Sequence, residues 1–230
     1  MGYAPQRKHL LLLIFLILHS IGQPLIARGS HATRILSDVV LVAMCLYVLY
    51  IVLERWGHRV IGFALLLAVG SANAAHYLLG PGLKTIAAIL FHVSLIVFLG
   101  FAVGVILSNL FHKTAITGDD VVGAVCGYIL GAMVWANLFA LVYLFIPSAF
   151  SVNSAIVVQL EDWQLRRPLF DYLSFTTLTS LGYGDITPVG QPVYSLTWLE
   201  VLFGQFYMAV VVAQMVGLKL AQAIKARGQD

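Results

Sequence analysis

Long apolar stretches separated by short polar clusters make up most of this sequence. Five of them precede residue 147, and a sixth closes the chain. Each is close to the ~20 residues that an apolar helix needs to cross a hydrocarbon core ~30 Å thick. The pattern therefore predicts six membrane helices, at about residues 9–27, 35–53, 60–79, 84–110, 121–146 and 193–223.

Helix-breaking residues separate the stretches. A Gly-Pro-Gly at residues 80–82 lies between the third and the fourth, and Pro147 closes the fifth. Gly22 and Pro24 are expected to kink or end the first helix. The first stretch also has the shape of a secretory signal, but small residues at cleavage spacing are not obvious. We favour a first membrane helix over a cleaved signal.

The composition supports a membrane protein. Of the 230 residues, 60% are hydrophobic and 10% are charged, and the mean hydropathy is +0.93. A soluble domain carries about a quarter charged residues. This chain cannot cover itself with polar surface, so we predict a polytopic protein in contact with membrane lipids. The net charge of +3 is small and scattered, which argues against nucleic acid as a partner.

Two sequence motifs typical of enzymes are absent from the sequence. The sequence has no nucleotide-binding Gly-rich loop ending in Lys-Ser/Thr and no Gly-x-Ser-x-Gly turn. Cys45 and Cys126 each lie in an apolar run, as small buried hydrophobic residues do. We expect no enzymatic activity, no small-molecule substrate, and no disulfide or metal site at the cysteines.

Lys and Arg in the short loops indicate the orientation, because these residues are more frequent on the cytoplasmic side. With the N-terminus inside, eight of the 13 lie on the cytoplasmic side and five outside. We predict cytoplasmic N- and C-termini. The compact form, with few soluble loops, suggests a prokaryotic inner membrane.

One polar segment between the fifth and sixth stretches carries a specific motif. Residues 176–185 read Thr-Thr-Leu-Thr-Ser-Leu-Gly-Tyr-Gly-Asp. This segment resembles the selectivity filter of the potassium-channel family, Thr-Val-Gly-Tyr-Gly followed by Asp. The filter positions and the Asp are taken by Ser180, Leu181, Gly182, Tyr183, Gly184 and Asp185. Ser180 keeps the hydroxyl of the usual Thr, and Leu181 stays apolar where Val or Ile is usual.

The resemblance implies a homotetrameric potassium channel of the bacterial six-helix type. Four copies of the segment would replace the water of a permeating K⁺ with backbone carbonyls and the Ser180 hydroxyl. Gly182 and Gly184 would provide backbone dihedrals that are closed to other residues, while Leu181 and Tyr183 would point away from the axis. The alternative is a loop turn that binds no ion.

The implied fold is all-α, with a re-entrant pore helix and filter between helices five and six. We divide the chain into a four-helix transmembrane domain at 1–118, a pore module at 119–223 and a cytoplasmic tail at 224–230. The pore helix is expected over Phe170–Thr179, with Pro168 in its first turn. The negative end of its dipole would then favour a cation below the filter.

Family positions behind the filter are occupied here by Tyr172, Leu173 and Thr176, so the resemblance says little about inactivation. Tyr183 and Asp185 are expected to pack behind and above the filter. Asp185 is either an outer cation-attracting ring or a cap on the turn. Both interpretations are kept.

The sixth helix is expected to line the pore. Gly204, 22 residues after Gly182, is either a hinge or a small residue that allows close packing. One helix face holds Gln205, Met208, Val212, Ala213, Val216 and Leu220. We predict a cavity lining with Gln205 below the filter and an apolar gate at Val216 and Leu220. Ordinary helix packing is the alternative.

Polar residues within the apolar stretches need partners. The candidate partners of Glu200 are Arg166, Arg167 or a backbone amide. Asn137 is expected to link helices. Three of the seven histidines lie inside apolar stretches: His19, His76 and His92. They are either a pH sensor or, as we prefer, core residues with satisfied hydrogen bonds.

Regularly spaced gating charges are missing from the fourth stretch, which has no Arg and one Lys, at its outer edge. We therefore expect weak or no voltage dependence. Rival interpretations are a non-selective cation channel, a channel-like subunit of a potassium uptake transporter, and a membrane protein with a non-conducting pore.

Overall fold

A computed structural model of the protein describes residues 8–27, 31–52, 56–78, 80–153, 160 and 162–227. Within these ranges the helices are α1 (Lys8–Ala27), α2 (His31–Val52), α3 (Trp56–Leu78), α4 (Pro81–Phe111), α5 (Gly118–Phe145), α6 (Trp163–Leu178) and α7 (Gln191–Arg227). A 3₁₀ turn (Pro147–Ala149) leads into β1 (Phe150–Val152), and β2 is Ile186–Pro188. Several residues used for the orientation lie outside the described residues, among them Arg7, Arg28 and Arg55, as does the side chain of His76.

Apolar helices dominate the described chain, as predicted. The helices α1, α4, α5 and α7 are long and apolar enough to cross a membrane. The helices α2 and α3 carry shorter apolar stretches, Ile35–Ile51 and Val60–Ala75. These elements indicate a multi-pass membrane protein, and a six-span topology stays a prediction.

Two prolines lie deeper in helices than predicted. The helix α6 begins at Trp163, seven residues before the expected start, so Pro168 is not in its first turn. The first turn is closed upstream, because the Arg166 amide donates to the Asp162 carbonyl at 2.9 Å. Pro168 has no amide hydrogen, so α6 lacks one backbone hydrogen bond at this position. In α1, the helix does not end at Pro24 but continues to Ala27.

A short antiparallel ribbon flanks α6 and was not predicted. Phe150 of β1 pairs with Pro188 of β2, and Val152 pairs with Ile186. Three-residue strands carry too little periodicity to stand out in a sequence. The ribbon joins the segment before α6 to the segment after it.

The main hydrophobic core is continuous across the predicted boundary at residue 118. Buried side chains of α1, α2, α3 and α4 form one cluster with Cys126, Leu130 and Met133 of α5. Leu12 and Leu16 of α1 are fully buried in it, as expected of a first membrane helix. Packing therefore joins the first four helices to α5, and the division into two domains stays a prediction about function.

A glycine stripe lets α7 approach α5 closely. A Cβ at Gly131 would lie 2.7 Å from Cε1 of Phe203 on α7, and one at Gly127 would lie 2.5 Å from the Tyr207 hydroxyl. Tyr207 donates a hydrogen bond to the Ala124 carbonyl at 2.7 Å. The four-residue spacing of these glycines is a known signal for close helix contacts, and the sequence analysis overlooked it.

Replacing Gly131 with Ala should weaken the contact between α5 and α7. Because the Phe203 ring must move, we expect the free energy of unfolding to fall by about 1–3 kcal/mol, as for other overpacked sites. The measurement is the thermal unfolding midpoint in detergent micelles. Gly104→Ala is the control, because a Cβ at Gly104 has no neighbour within 4 Å. Equal midpoints for the two variants would contradict the close approach.

Candidate functional site

The loop after α6 is anchored at its far end by the β1–β2 ribbon. The Asn153 amide donates to the Asp185 carbonyl at 3.1 Å, and the Val189 amide donates to the Ala149 carbonyl at 2.7 Å. Residues 179–185 therefore connect two fixed points, the end of α6 and the β1–β2 ribbon.

The C-terminus of α6 is closed by a Schellman motif. The Leu181 amide donates to the Thr176 carbonyl at 2.8 Å, and the Ser180 amide donates to the Thr177 carbonyl at 2.9 Å. Ser180 has the left-handed φ of 58° that this motif requires at its turning residue. Serine there costs more than glycine, by about 1–2 kcal/mol. The last carbonyls of α6 are therefore occupied by the chain itself.

Alternate residues of the segment have positive φ. The values are 58° at Ser180, 52° at Gly182 and 78° at Gly184. Glycine is the residue that adopts this region without strain, which explains the two glycines. The segment is thus not uniformly extended. Among the residues that the structure describes, none donates a hydrogen bond to the carbonyls of residues 180–184.

Tyr183 and Asp185 both contact Tyr172 of α6. The rings of Tyr172 and Tyr183 are stacked, with centroids 6.4 Å apart and an interplanar angle of 4°. The Tyr172 hydroxyl donates to Oδ2 of Asp185 at 2.8 Å. Oδ1 of Asp185 accepts from the Ile186 amide at 3.1 Å. Both oxygens hold the turn in place, which favours the cap over an outer ring.

The helix α7 meets α6 at Gly204. A Cβ at Gly204 would collide with the backbone carbonyl oxygen of Leu178. Gln205, the next residue, donates from Nε2 to the Ser180 hydroxyl at 3.0 Å. These contacts support the close-packing interpretation of Gly204, and the hinge stays a prediction.

Apart from Gln205, the predicted cavity-lining face of α7 is turned away from the described part of the chain. Its members are exposed, including Met208, Val212, Ala213, Val216 and Leu220. The opposite face, with Tyr207, Val211 and Met215, is buried against α5 and neighbouring residues. The stripe is therefore available to line a cavity or to meet another chain.

Glu200 is fully buried, and its predicted partners were wrong. Its Oε1 is hydrogen-bonded to the Ser174 hydroxyl of α6, and Oε2 has no partner among the described residues. Ser174 also donates to the Ala132 carbonyl of α5 at 2.7 Å. The two arginines are engaged elsewhere: Arg166 donates to the Leu160 carbonyl at 2.7 Å, and Arg167 pairs with Asp38. Glu200 thus links α7 to α6 and α5.

Asn137 links two helices, as predicted. Its Oδ1 lies 2.8 Å from Nδ1 of His92 on α4, and its amide donates to the Met133 carbonyl at 2.7 Å. His19 is buried beside Gln23 of the same helix, with 3.3 Å between Nε2 of both side chains. Both histidines are thus in the core, but Nδ1 of His19 has no hydrogen-bond partner among the described residues, so the expected hydrogen bonds are only partly made there.

Comparison with known proteins identifies the same part of the chain. Residues 133–218 match a family model. The matched family is that of ion channels. The match starts within α5 and ends within α7, so it includes α6 and the segment with alternating φ, and it covers less than half of the chain. No curated protein and no solved structure matches the chain.

Removing the Glu200 side chain should loosen the contact between α6 and α7. In Glu200→Ala a cavity forms and the Ser174 hydroxyl loses a partner, so we expect a loss of about 2–4 kcal/mol of stability. Glu200→Gln is the control, because it keeps the shape and a hydrogen-bonding group. The measurement is thermal unfolding of both variants in detergent. A Glu200→Ala variant as stable as Glu200→Gln would contradict a structural role for this contact.

A methyl group at Gly204 should displace α7 from α6. Because the opposing atom is a backbone oxygen, it cannot rotate away, and we expect Gly204→Ala to lose about 1–3 kcal/mol. Gly217→Ala on the same helix is the control, since a Cβ there has no neighbour within 4 Å. Chemical denaturation of the two variants measures the difference, and the same midpoint in both would contradict the contact.

Proposed function

We propose that this chain is the pore subunit of a potassium-selective channel that conducts K⁺ passively as a homotetramer. One observation carries the proposal. A segment with alternating positive φ, whose carbonyls accept no hydrogen bond from the described residues, follows a half-length helix inside the ion-channel match. The ion-channel match supports the general class. The resemblance of residues 180–184 to the filter signature supports potassium as the ion.

Alternating backbone handedness suits a carbonyl-lined passage. In a regular strand successive carbonyls point to opposite sides, because all residues share one region of dihedral space. When every second residue crosses to positive φ, successive carbonyls turn towards the same side. A row of such oxygens can replace the hydration shell of K⁺. Ser180 would add its hydroxyl at the inner end, next to Gln205.

Exposure of the segment supports a tetramer. Leu181 is 55% and Tyr183 is 68% exposed in the single chain. Irregular backbone at membrane depth must be buried in protein or line a water-filled cavity. Four copies around a closed symmetry axis would provide both conditions, with carbonyls towards the axis and side chains between subunits.

The gate is proposed on the exposed stripe of α7. Val216 and Leu220 are each 61% exposed. Four copies would bring these apolar side chains together at the inner end of the cavity, where dewetting can stop ion flow. The proposal includes cytoplasmic N- and C-termini and an inner-membrane location, for which the distribution of Lys and Arg and the compact form are the support.

Flux into liposomes that carry the purified protein tests the proposal. We expect K⁺ uptake that Ba²⁺ blocks, and no comparable uptake of Na⁺, because the ring of carbonyls is the proposed site of ion selection. Equal uptake of K⁺ and Na⁺ would overturn the selectivity. If the wild type shows no flux, Val216→Ala/Leu220→Ala distinguishes a closed gate from a non-conducting pore, since smaller side chains should hold the gate open.

Substitutions in the segment test its role directly. Gly182→Ala forces a side chain into left-handed backbone at a cost of about 1–2 kcal/mol per subunit, and Tyr183→Ala removes the ring that stacks on Tyr172. Both should lower the K⁺ to Na⁺ permeability ratio or abolish conduction, whereas Gly104→Ala should not. An unchanged permeability ratio in Tyr183→Ala would remove the filter assignment.

A further inference from the structure

A buried ion pair joins α6 to α2, and the proposed conduction path does not use it. Nη1 of Arg167 lies 2.9 Å from Oδ1 of Asp38, and the two residues are 129 positions apart in the chain. Arg167 is 9% and Asp38 is 8% exposed. Burying two charges costs free energy that their attraction only partly returns, so this pair is an expensive way to hold two helices together.

Three of the first four helices surround the ion pair: α2 and α4 contact Arg167, and α3 contacts Asp38. Asp38 comes from α2, and its Oδ2 accepts a hydrogen bond from the Tyr77 hydroxyl of α3 at 2.7 Å. The guanidinium carbon lies 5.0 Å from the centroid of the Phe91 ring of α4, within the range of a cation–π contact. The charged group of α6 is therefore seated among α2, α3 and α4.

The remaining helix of the first four reaches the same place through a small polar cavity. It has a volume of about 20 Å³, room for about one water molecule. Polar residues that line it include His19 of α1, Asn137 of α5, and Arg167 and Asp171 of α6. Because so little space is empty, a shift of α1 or α2 presses on side chains that contact α6.

The opposite end of α6 holds the candidate filter. Tyr172, five residues after Arg167, binds Asp185, and the Thr176 carbonyl accepts from the amides of Leu181 and Gly182 at 2.8 and 3.2 Å. A rigid helix of this length transmits a displacement of its first half to these bonds.

We propose that Asp38 and Arg167 are positioning residues through which the first four helices set the conformation of the filter segment. The expected effect on conduction rests on the proposed function. The expected effect on the conformation of the filter segment does not. It assigns the first four helices a role that voltage sensing does not fill, because α4 lacks the spaced charges.

A cycle of neutral variants tests the coupling. In Asp38→Asn or Arg167→Gln one buried charge loses its partner. The double variant Asp38→Asn/Arg167→Gln removes both charges, so neither residue of the pair is left with an unpaired buried charge. The control is Lys113→Gln, which breaks the ion pair with Asp120 far from α6 in the chain. Tyr77→Phe is a milder variant that leaves both charges in place, and it replaces the single variants if these do not fold.

The first readout is amide hydrogen exchange of residues 176–185 in the folded, purified protein, which does not depend on conduction. We expect each single variant to speed exchange of the Leu181 and Gly182 amides by about fivefold or more, the lower end of measured site-to-site couplings. The double variant and Lys113→Gln should stay close to the wild type. Faster exchange throughout the protein, or unchanged exchange at these amides, would overturn the proposal.

The second readout is Ba²⁺ block and the K⁺ to Na⁺ permeability ratio in liposomes. Each single variant should weaken Ba²⁺ block by a similar factor, and the double variant should recover it. If a single variant gives less folded protein but its folded fraction shows wild-type Ba²⁺ block, the ion pair has only a structural role. That result would overturn the proposal. If neither the wild type nor Val216→Ala/Leu220→Ala conducts, the proposed function alone is contradicted, and the exchange measurement then decides the coupling.

Discussion

Backbone groups at membrane depth must be bonded or must face a cavity, and the region around α6 is built to satisfy this constraint. The Schellman motif occupies the carbonyls at the end of α6, and the Tyr128 hydroxyl donates to the Leu178 carbonyl at 3.2 Å. The β1–β2 ribbon bonds the backbone beyond the segment. Between these anchors the carbonyls of residues 180–184 receive no hydrogen bond from the part of the chain that the structure describes.

Close helix contacts make this arrangement possible. Gly127 and Gly131 bring α7 against α5, and Gly204 brings it against the last turn of α6. A side chain at any of these positions would widen the gap, and Gln205 would no longer reach the Ser180 hydroxyl. Small residues therefore determine where the exposed stripe of α7 lies relative to the segment, and larger side chains such as Phe203 and Tyr207 fill the space around them.

Buried polar groups provide the specific links between helices. Asn137 with His92 joins α5 to α4, Glu200 with Ser174 joins α7 to α6, and the Arg167 ion pair joins α6 to α2. In an apolar environment such groups are stable only in matched pairs, so each link fixes one relative position of two helices. Two of the three links involve α6, which they join to α7 and α2.

The sequence by itself determined the apolar helices, their approximate bounds and the motif at residues 180–185, because these depend on local composition and on short spacings. It also indicated why glycine occurs at positions 182 and 184. Contacts between distant residues were decided only by the tertiary structure. The partner of Glu200, the pairing of Arg167 with Asp38 and the start of α6 before Pro168 all depend on which helices become neighbours. Apolar stretches of similar composition can pack in many ways, so a one-dimensional pattern cannot select these pairs, whereas the fold brings residues 129 positions apart within 2.9 Å.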